Sequence, residues 1–222
     1  MTITSCFRRL AAITLAIILS LTVLDSPAHA FVQNSYDKLL LTNECVGCDL
    51  SGVDLSGKDL YGSALGEANL SNANLSGSLL NDAKLRGANL TGANLSGAIL
   101  MGTTLSDANL TGANLSETEL YNALMSRATL SEANLTAADL TEANLSDADL
   151  SNALGKNAKL RGVILSRSNL SGADLSNAYM RNTKLSNAKL QGSKLFGADL
   201  SNALMPDGTT YNGDATKFGA LQ

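Results

Sequence analysis

From Leu50 to Met205 every fifth residue is apolar, with Gly155 the single exception. Among these 32 positions Leu fills 28 and Met fills three, at Met125, Met180 and Met205. Two residues before each stands a smaller partner, Ala at 21 positions and Ser or Thr at seven. A period of five fits neither the 3.6-residue stripe of a helix nor the alternation of a plain strand, so the chain must turn at regular intervals. The unit reads Ala-Asn/Asp-Leu-x-x, as in Ala68-Asn69-Leu70 and Ala143-Asn144-Leu145. Its Ala and Leu, two apart on an extended piece, point inward, and the residue between them points outward. The remaining two residues, often Ser or Thr and then Gly or Asn, carry turn chemistry and bend the chain at a corner. Such units stack into a parallel β-solenoid with a leucine core.

These units resemble the pentapeptide-repeat family over about residues 48–205. The resemblance implies an all-β fold, a right-handed quadrilateral parallel β-helix in which four units make one coil of 20 residues. The period itself shows five residues and not four sides. On that geometry the 32 units make about eight coils, a rod of roughly 35 to 40 Å at the ~4.8 Å spacing of stacked strands. Ladders are then expected between residue n and residue n+20. At Gly155 the frame is expected to hold, with Leu154 turned outward and a small void left behind. Residues 31–47 are read as a short N-terminal helical cap, with Asn34 or Ser35 capping the helix and Leu39, Leu40 and Leu41 covering the first coil. Residues 206–222 are read as the C-terminal cap, in which Pro206-Asp207-Gly208 breaks the pattern and Tyr211 and Phe218 cover the last coil.

Residues 1–30 read as a secretory signal peptide. Arg8 and Arg9 precede a fifteen-residue apolar stretch, Leu10 to Leu24, and Ala28-His29-Ala30 supplies a small-x-small cleavage site. The apolar stretch is shorter than the ~20 residues a membrane span needs, so no stable span is expected once the signal is cut. The Arg pair also suits a twin-arginine signal, although Ala11 and Ala12 stand where bulkier apolar residues usually follow. Export places the chain in the periplasm or thylakoid lumen, the lumen because the cap-CxxC-DLSG opening resembles lumenal family members of cyanobacteria and chloroplasts.

Beyond residue 30 the chain keeps 14 basic and 19 acidic side chains and holds neither His nor Trp. Histidine-dependent acid-base chemistry and imidazole metal ligation are thereby absent, and no metal or other cofactor is expected. Cys45-Val46-Gly47-Cys48 is a CxxC with no second pair to complete a zinc site. Three readings stand beside one another: a structural disulfide, a reduced pair and a redox-active pair. Export to an oxidising compartment favours the disulfide.

At the 20-residue spacing, Asp107, Arg127, Asp147 and Arg167 fall in one column of alternating sign, and Asn69, Asn89, Asn109 and Asn74, Asn94, Asn114, Asn134 form two ladders. Charge is also uneven along the chain. Residues 44–150 hold 14 acids and four bases, whereas residues 151–199 hold eight bases and two acids. Lys156, Lys159, Arg161, Arg167, Arg181 and Lys184 form a candidate basic patch. The outward position before each central residue is apolar at Leu79, Ile99, Leu124, Leu154, Ile164, Tyr179 and Leu204. With Met101 and Tyr121, the residues Leu79, Ile99 and Leu124 make a candidate interaction surface.

The function that follows is a non-catalytic scaffold or protein-interaction module, not an enzyme, with an unspecified protein partner or self-association. Two alternatives differ in class: a thiol-redox protein using Cys45 and Cys48, and a DNA-mimic binding protein, since some family members resemble duplex DNA and act on DNA gyrase. Export and the basic far end weigh against the DNA mimic, and nucleic acid is not expected as a partner.

Overall fold

The computed structural model describes residues 27–221, with side chains from residue 32 onward; the expected signal segment up to Ser26 lies outside these residues. The repeats form a right-handed, four-sided parallel β-helix. Parallel bridges join n to n+20 without interruption from Glu44↔Ala64 to Lys184↔Leu204. The central Leu and Met residues are buried throughout, and the small residues two positions earlier fill the remaining core, although Cys48, Val53 and Ala198 at the two ends are only partly buried, as is Lys58, which takes the slot before Leu60.

One unit accounts for all five of its backbone donors. In Ala73–Gly77, the Leu75 N–H donates to Asn94 of the next coil at 2.6 Å, the Gly77 N–H donates to Ser96 at 3.0 Å, and the Asn74 N–H donates to Val53 of the previous coil at 2.9 Å. The Ala73 N–H closes the preceding corner on the Leu70 carbonyl at 3.1 Å. The fifth donor, the Ser76 N–H, is taken by the Asn74 side chain at 3.2 Å. The outward Asn or Asp is therefore a turn residue, whose carbonyl or carboxylate satisfies its own corner. Every fifth residue from Gly47 to Asn202 holds a left-handed φ near 60°, the mark of a type II corner.

The first coil is covered by α1, Pro27–Thr42. This helix begins upstream of the expected caps, so Asn34 and Ser35 lie inside it. Its face puts Ser35, Tyr36 and Leu39 on the core, while Leu40 and Leu41 are exposed. The helical period explains the outcome, because Ser35 and Leu39 are one turn apart and Leu40 and Leu41 rotate away. Asn43, in the left-handed region at φ 58°, ends the helix and donates through Nδ2 to the Tyr61 carbonyl at 2.7 Å. The ladder thus starts at Glu44, ahead of the expected residue 48, with buried Cys45 in the first central slot.

At the far end the chain reverses after Met205, where an antiparallel bridge joins Leu204 to Thr210. Tyr211 and Phe218 pack against the core as expected, but the fully buried plugs are Ala215 and Ala220. Leu221 adds a last parallel bridge to Lys194.

Gly155 keeps the frame, and its N–H donates to Asp174 at 2.8 Å like any central residue. Leu154 points outward and is 47% exposed. The expected void is occupied, because a Cβ at Gly155 would stand 2.8 Å from a terminal methyl of Leu175 on the next coil. The flexible leucine leans into space that a missing side chain would leave empty.

Candidate interaction surface

The bridge register divides the outward positions among four faces. Face A carries the column from Asp49 through Asn69 to Lys189, and face B the column from Asp54 through Asn74 to Lys194. Face C carries Asp59, Leu79, Ile99, Glu119, Asp139, Lys159, Tyr179 and Asp199. Face D carries Lys84, Thr104, Leu124, Asn144, Ile164, Lys184 and Leu204.

Faces A and B are polar apart from Leu154 on face B, and their Asn side chains bond along the columns. On face B, Asn74, Asn94, Asn114 and Asn134 each donate through Nδ2 to the residue one coil below, at 3.0 to 3.2 Å. On face A, Asn89 donates to Asn69 and Asn69 to Asp49. The alternating column at the D/A corner closes as two forks: Arg127 grips Asp107 at 2.7 and 2.9 Å, and Arg167 grips Asp147 at 2.7 and 2.6 Å. These guanidinium groups hold both carboxyls below the usual carboxylate range.

Faces C and D differ. The corner between them carries Tyr61, Asn81, Met101, Tyr121, Thr141, Arg161, Arg181 and Ser201 in sequence order. A shallow groove there is lined by Tyr61, Asn81, Asp82, Met101, Gly102, Tyr121 and Asn122. Tyr61 is 59% exposed and Met101 and Tyr121 are 40% exposed, with Leu79 and Leu124 open on the flanks and Ile99 half-buried. The structure therefore brings Leu79, Ile99, Met101, Tyr121 and Leu124 to one corner. Tyr61, Asn81 and Asp82 belong to the same groove and were missed by the sequence reading. Tyr61 sits in a turn position that the outward-residue rule does not test. The Asn81 Oδ1 is buried and accepts no hydrogen bond among the described residues. Asp82 beside Tyr61 pushes the phenol upward.

The six basic residues do not form one patch. Lys156 lies at the B/C corner and Arg167 at the D/A corner, while Lys159, Arg161, Arg181 and Lys184 surround the C/D corner. Four of the six hold carboxylates: Lys156 with Asp174, Lys159 with Asp139, Arg167 with Asp147 and Arg181 with Asp199. The 20-residue coil spreads residues that are close in sequence around the rod, so a basic run along the chain is not a basic face.

Cys45 and Cys48 are joined as a disulfide with Cα atoms 5.2 Å apart. Cys45 is buried and its Sγ lies 3.3 Å from the Ser35 carbonyl of α1. A redox-active pair needs an accessible sulfur, and Cys48 is only partly exposed. Among the described residues no group of three or more His, Cys, Asp or Glu gathers where a metal ion could sit. No helix among them is long and apolar enough to cross a membrane.

The family model for pentapeptide repeats matches in overlapping copies from residue 44 to residue 202. The chain belongs to the pentapeptide-repeat family. Among solved structures it is similar to a trypsin-treated variant of QnrB1, a plasmid-mediated fluoroquinolone resistance protein, at 24% identity over 72% of this chain and 80% of that one, with a TM-score of 0.55. That likeness speaks to the fold. The pentapeptide-repeat protein HetL of Nostoc sp. strain PCC 7120, involved in heterocyst differentiation regulation, is 33% identical over 76% of this chain and 87% of its own, with a TM-score of 0.25. A pentapeptide-repeat protein of the Arabidopsis thaliana thylakoid lumen is 35% identical over 60% of this chain and 71% of its own, with a TM-score of 0.23. No curated protein matches the chain.

Proposed function

We propose that this pentapeptide-repeat protein is a non-catalytic interaction scaffold that works beyond a membrane, in a periplasm or thylakoid lumen, and that it binds through the C/D corner. The observation that supports this reading is a departure from the rule the rod follows elsewhere. Where Asn or Asp stands before the central Leu, its oxygen accepts the corner N–H, as at Asn74, Asn94 and Asn114. Leu79, Ile99 and Leu124 have no oxygen to offer, so their side chains forgo a turn bond worth about 0.5 to 1.5 kcal/mol. Apolar side chains here also neighbour exposed Met101 and two tyrosines instead of lying scattered. Neither the core nor the corners explain them, whereas a contact with another protein does.

The signal-like segment before Phe31 supports export, and an oxidising compartment suits the bonded Cys45–Cys48 pair. The disulfide spans the first corner of the first coil, directly under α1, a structural duty.

The test uses a photo-reactive phenylalanine analogue at position 121 in the native cells, with the same probe at exposed Asn109 on face A as control. Adducts of defined mass at 121 and none at 109 support the reading; equal labelling at both, or none at either, overturns it. Replacing Ile99 and Tyr121 together by Asn should abolish the adducts formed by a probe at position 101. No fall in melting temperature should accompany the change, because the asparagine introduced at position 99 supplies the acceptor that other corners already use.

A further inference from the structure

We infer that face C is self-complementary and that the protein pairs with a second copy of itself, antiparallel and face to face. The inference deepens the interaction reading by naming an occupant, and it rests on that reading's assignment of faces C and D as the contact side.

The argument is one of symmetry. Rods that meet face to face in opposite directions are related by a two-fold axis lying in the contact plane, perpendicular to both rods. Such an axis leaves the C/D corner of one copy beside the C/D corner of the other. Placed at the level of Asp139 and Thr141, it sets Ile99 opposite the partner's Tyr179 and Glu119 opposite the partner's Lys159. At the corner it sets Tyr121 beside the partner's Arg161 and Met101 beside the partner's Arg181. Apolar then meets apolar, acid meets base and an aromatic ring meets a guanidinium, each twice by symmetry.

The register is specified by the same pattern. Sliding the partner by one coil in one direction puts Glu119 against the partner's Asp139 and Ile99 against the partner's Lys159. Sliding it the other way puts Ile99 against the partner's Asp199 and Glu119 against the partner's Tyr179. Of these three registers only the one centred on Asp139 gives Glu119 a base and Ile99 an apolar side chain.

The pairing draws in two charged groups that the single rod leaves unpaired and shares two, Lys159 and Arg181, that already hold carboxylates of their own chain. Glu119 and Arg161 form no ion pair among the described residues, whereas Asp139, which meets its own copy at the axis, is already held by Lys159 at 3.1 Å. Leu79 meets the partner's Asp199, whose counterpart in this chain is held by Arg181. Faces A and B offer fewer apolar positions, with none in the column from Asp49 to Lys189 and Leu154 alone in the column from Asp54 to Lys194. The contact runs over six ladder steps from Leu79 to Asp199, about 29 Å at ~4.8 Å per step. One narrow face of that length belongs with weak, reversible interfaces.

Sedimentation velocity across a concentration series should show a monomer–dimer equilibrium. Glu119→Lys and Lys159→Glu should each be monomeric alone, because like charges then face each other twice. Mixing the two variants should restore the dimer, because in the mixed pair both contacts again join acid to base. As an independent readout, Ile99→Cys and Tyr179→Cys, each with Cys6→Ser, should cross-link on oxidation only when mixed. A wild-type protein that stays monomeric, a mixture that fails to recover the dimer, or Ile99→Cys cross-linking as readily alone as in the mixture would overturn the proposal. Monomeric protein that still gives specific adducts at position 121 would overturn the self-pairing while leaving the interaction reading in place.

Discussion

Each residue of a repeat unit answers to a different constraint, and the small inward slot shows how narrow these are. Where Ser or Thr replaces Ala, its hydroxyl is sealed from water and must find a backbone acceptor. The Ser78 hydroxyl donates to the Leu75 carbonyl at 2.7 Å, and the Thr103 hydroxyl donates to the Leu80 carbonyl at 2.9 Å. The Ser63 hydroxyl occupies the same kind of slot, fully buried and without a hydrogen bond. Desolvating an unpaired hydroxyl costs about 1 to 3 kcal/mol, whereas a satisfied bond contributes about 0.5 to 1.5 kcal/mol. Ser63→Ala is therefore expected to raise the unfolding free energy, and Ser78→Ala to lower it by up to ~1.5 kcal/mol. Denaturant titration of the two variants checks the contrast, and equal effects would show that the Ser63 hydroxyl is satisfied in solution.

The coil is the element of this fold, and its stability is a sum of contacts with the coils above and below. Gly155 tests how a coil responds to losing one central side chain. Backbone bonding there is undisturbed, its φ is not in the left-handed region, and the obstacle to a larger side chain is the flexible end of Leu175. Gly155→Leu is expected to swing Leu175 back into line with the other central leucines and to raise stability by about 1 to 3 kcal/mol. That gain is smaller than a full Leu-to-Ala cavity penalty, because Leu175 has already recovered part of the lost contact. A fall in melting temperature would show that the lean of Leu175 is fixed by its own coil.

At the scale of the whole molecule, carboxylates at turn and ladder positions link stability to pH. Bonds from Ser51 and Ser56 hold Asp49 and Asp54 below the usual carboxylate range, and Ser201 with Arg181 brings Asp199 down to about 2. A folded pKa below the unfolded value near ~3.9 stabilises the fold above that value, and the gain is lost as pH falls through the folded pKa. The melting temperature should be level with respect to these groups from about pH 5 to 8 and should drop between about pH 4 and 2. A scan that declines between about pH 8 and 6 instead would assign control to other groups. The solenoid and the outward direction of Ile99 and Leu154 were legible in the sequence, because a five-residue period leaves the backbone one way to bury Leu and Ala together, whereas the 20-residue register came with the family resemblance and not with the period. The basic run was legible along the chain and misleading in space, because 20 residues per coil send neighbours to different faces. Three features depended on the tertiary structure: the place of Tyr61 and Asn81 in the groove, Cys45 in the first central slot, and Leu175 in the space beside Gly155. Each is a contact between residues far apart in the sequence, decided by which side chain the stacked coils leave room for, and a local repeat carries no record of that.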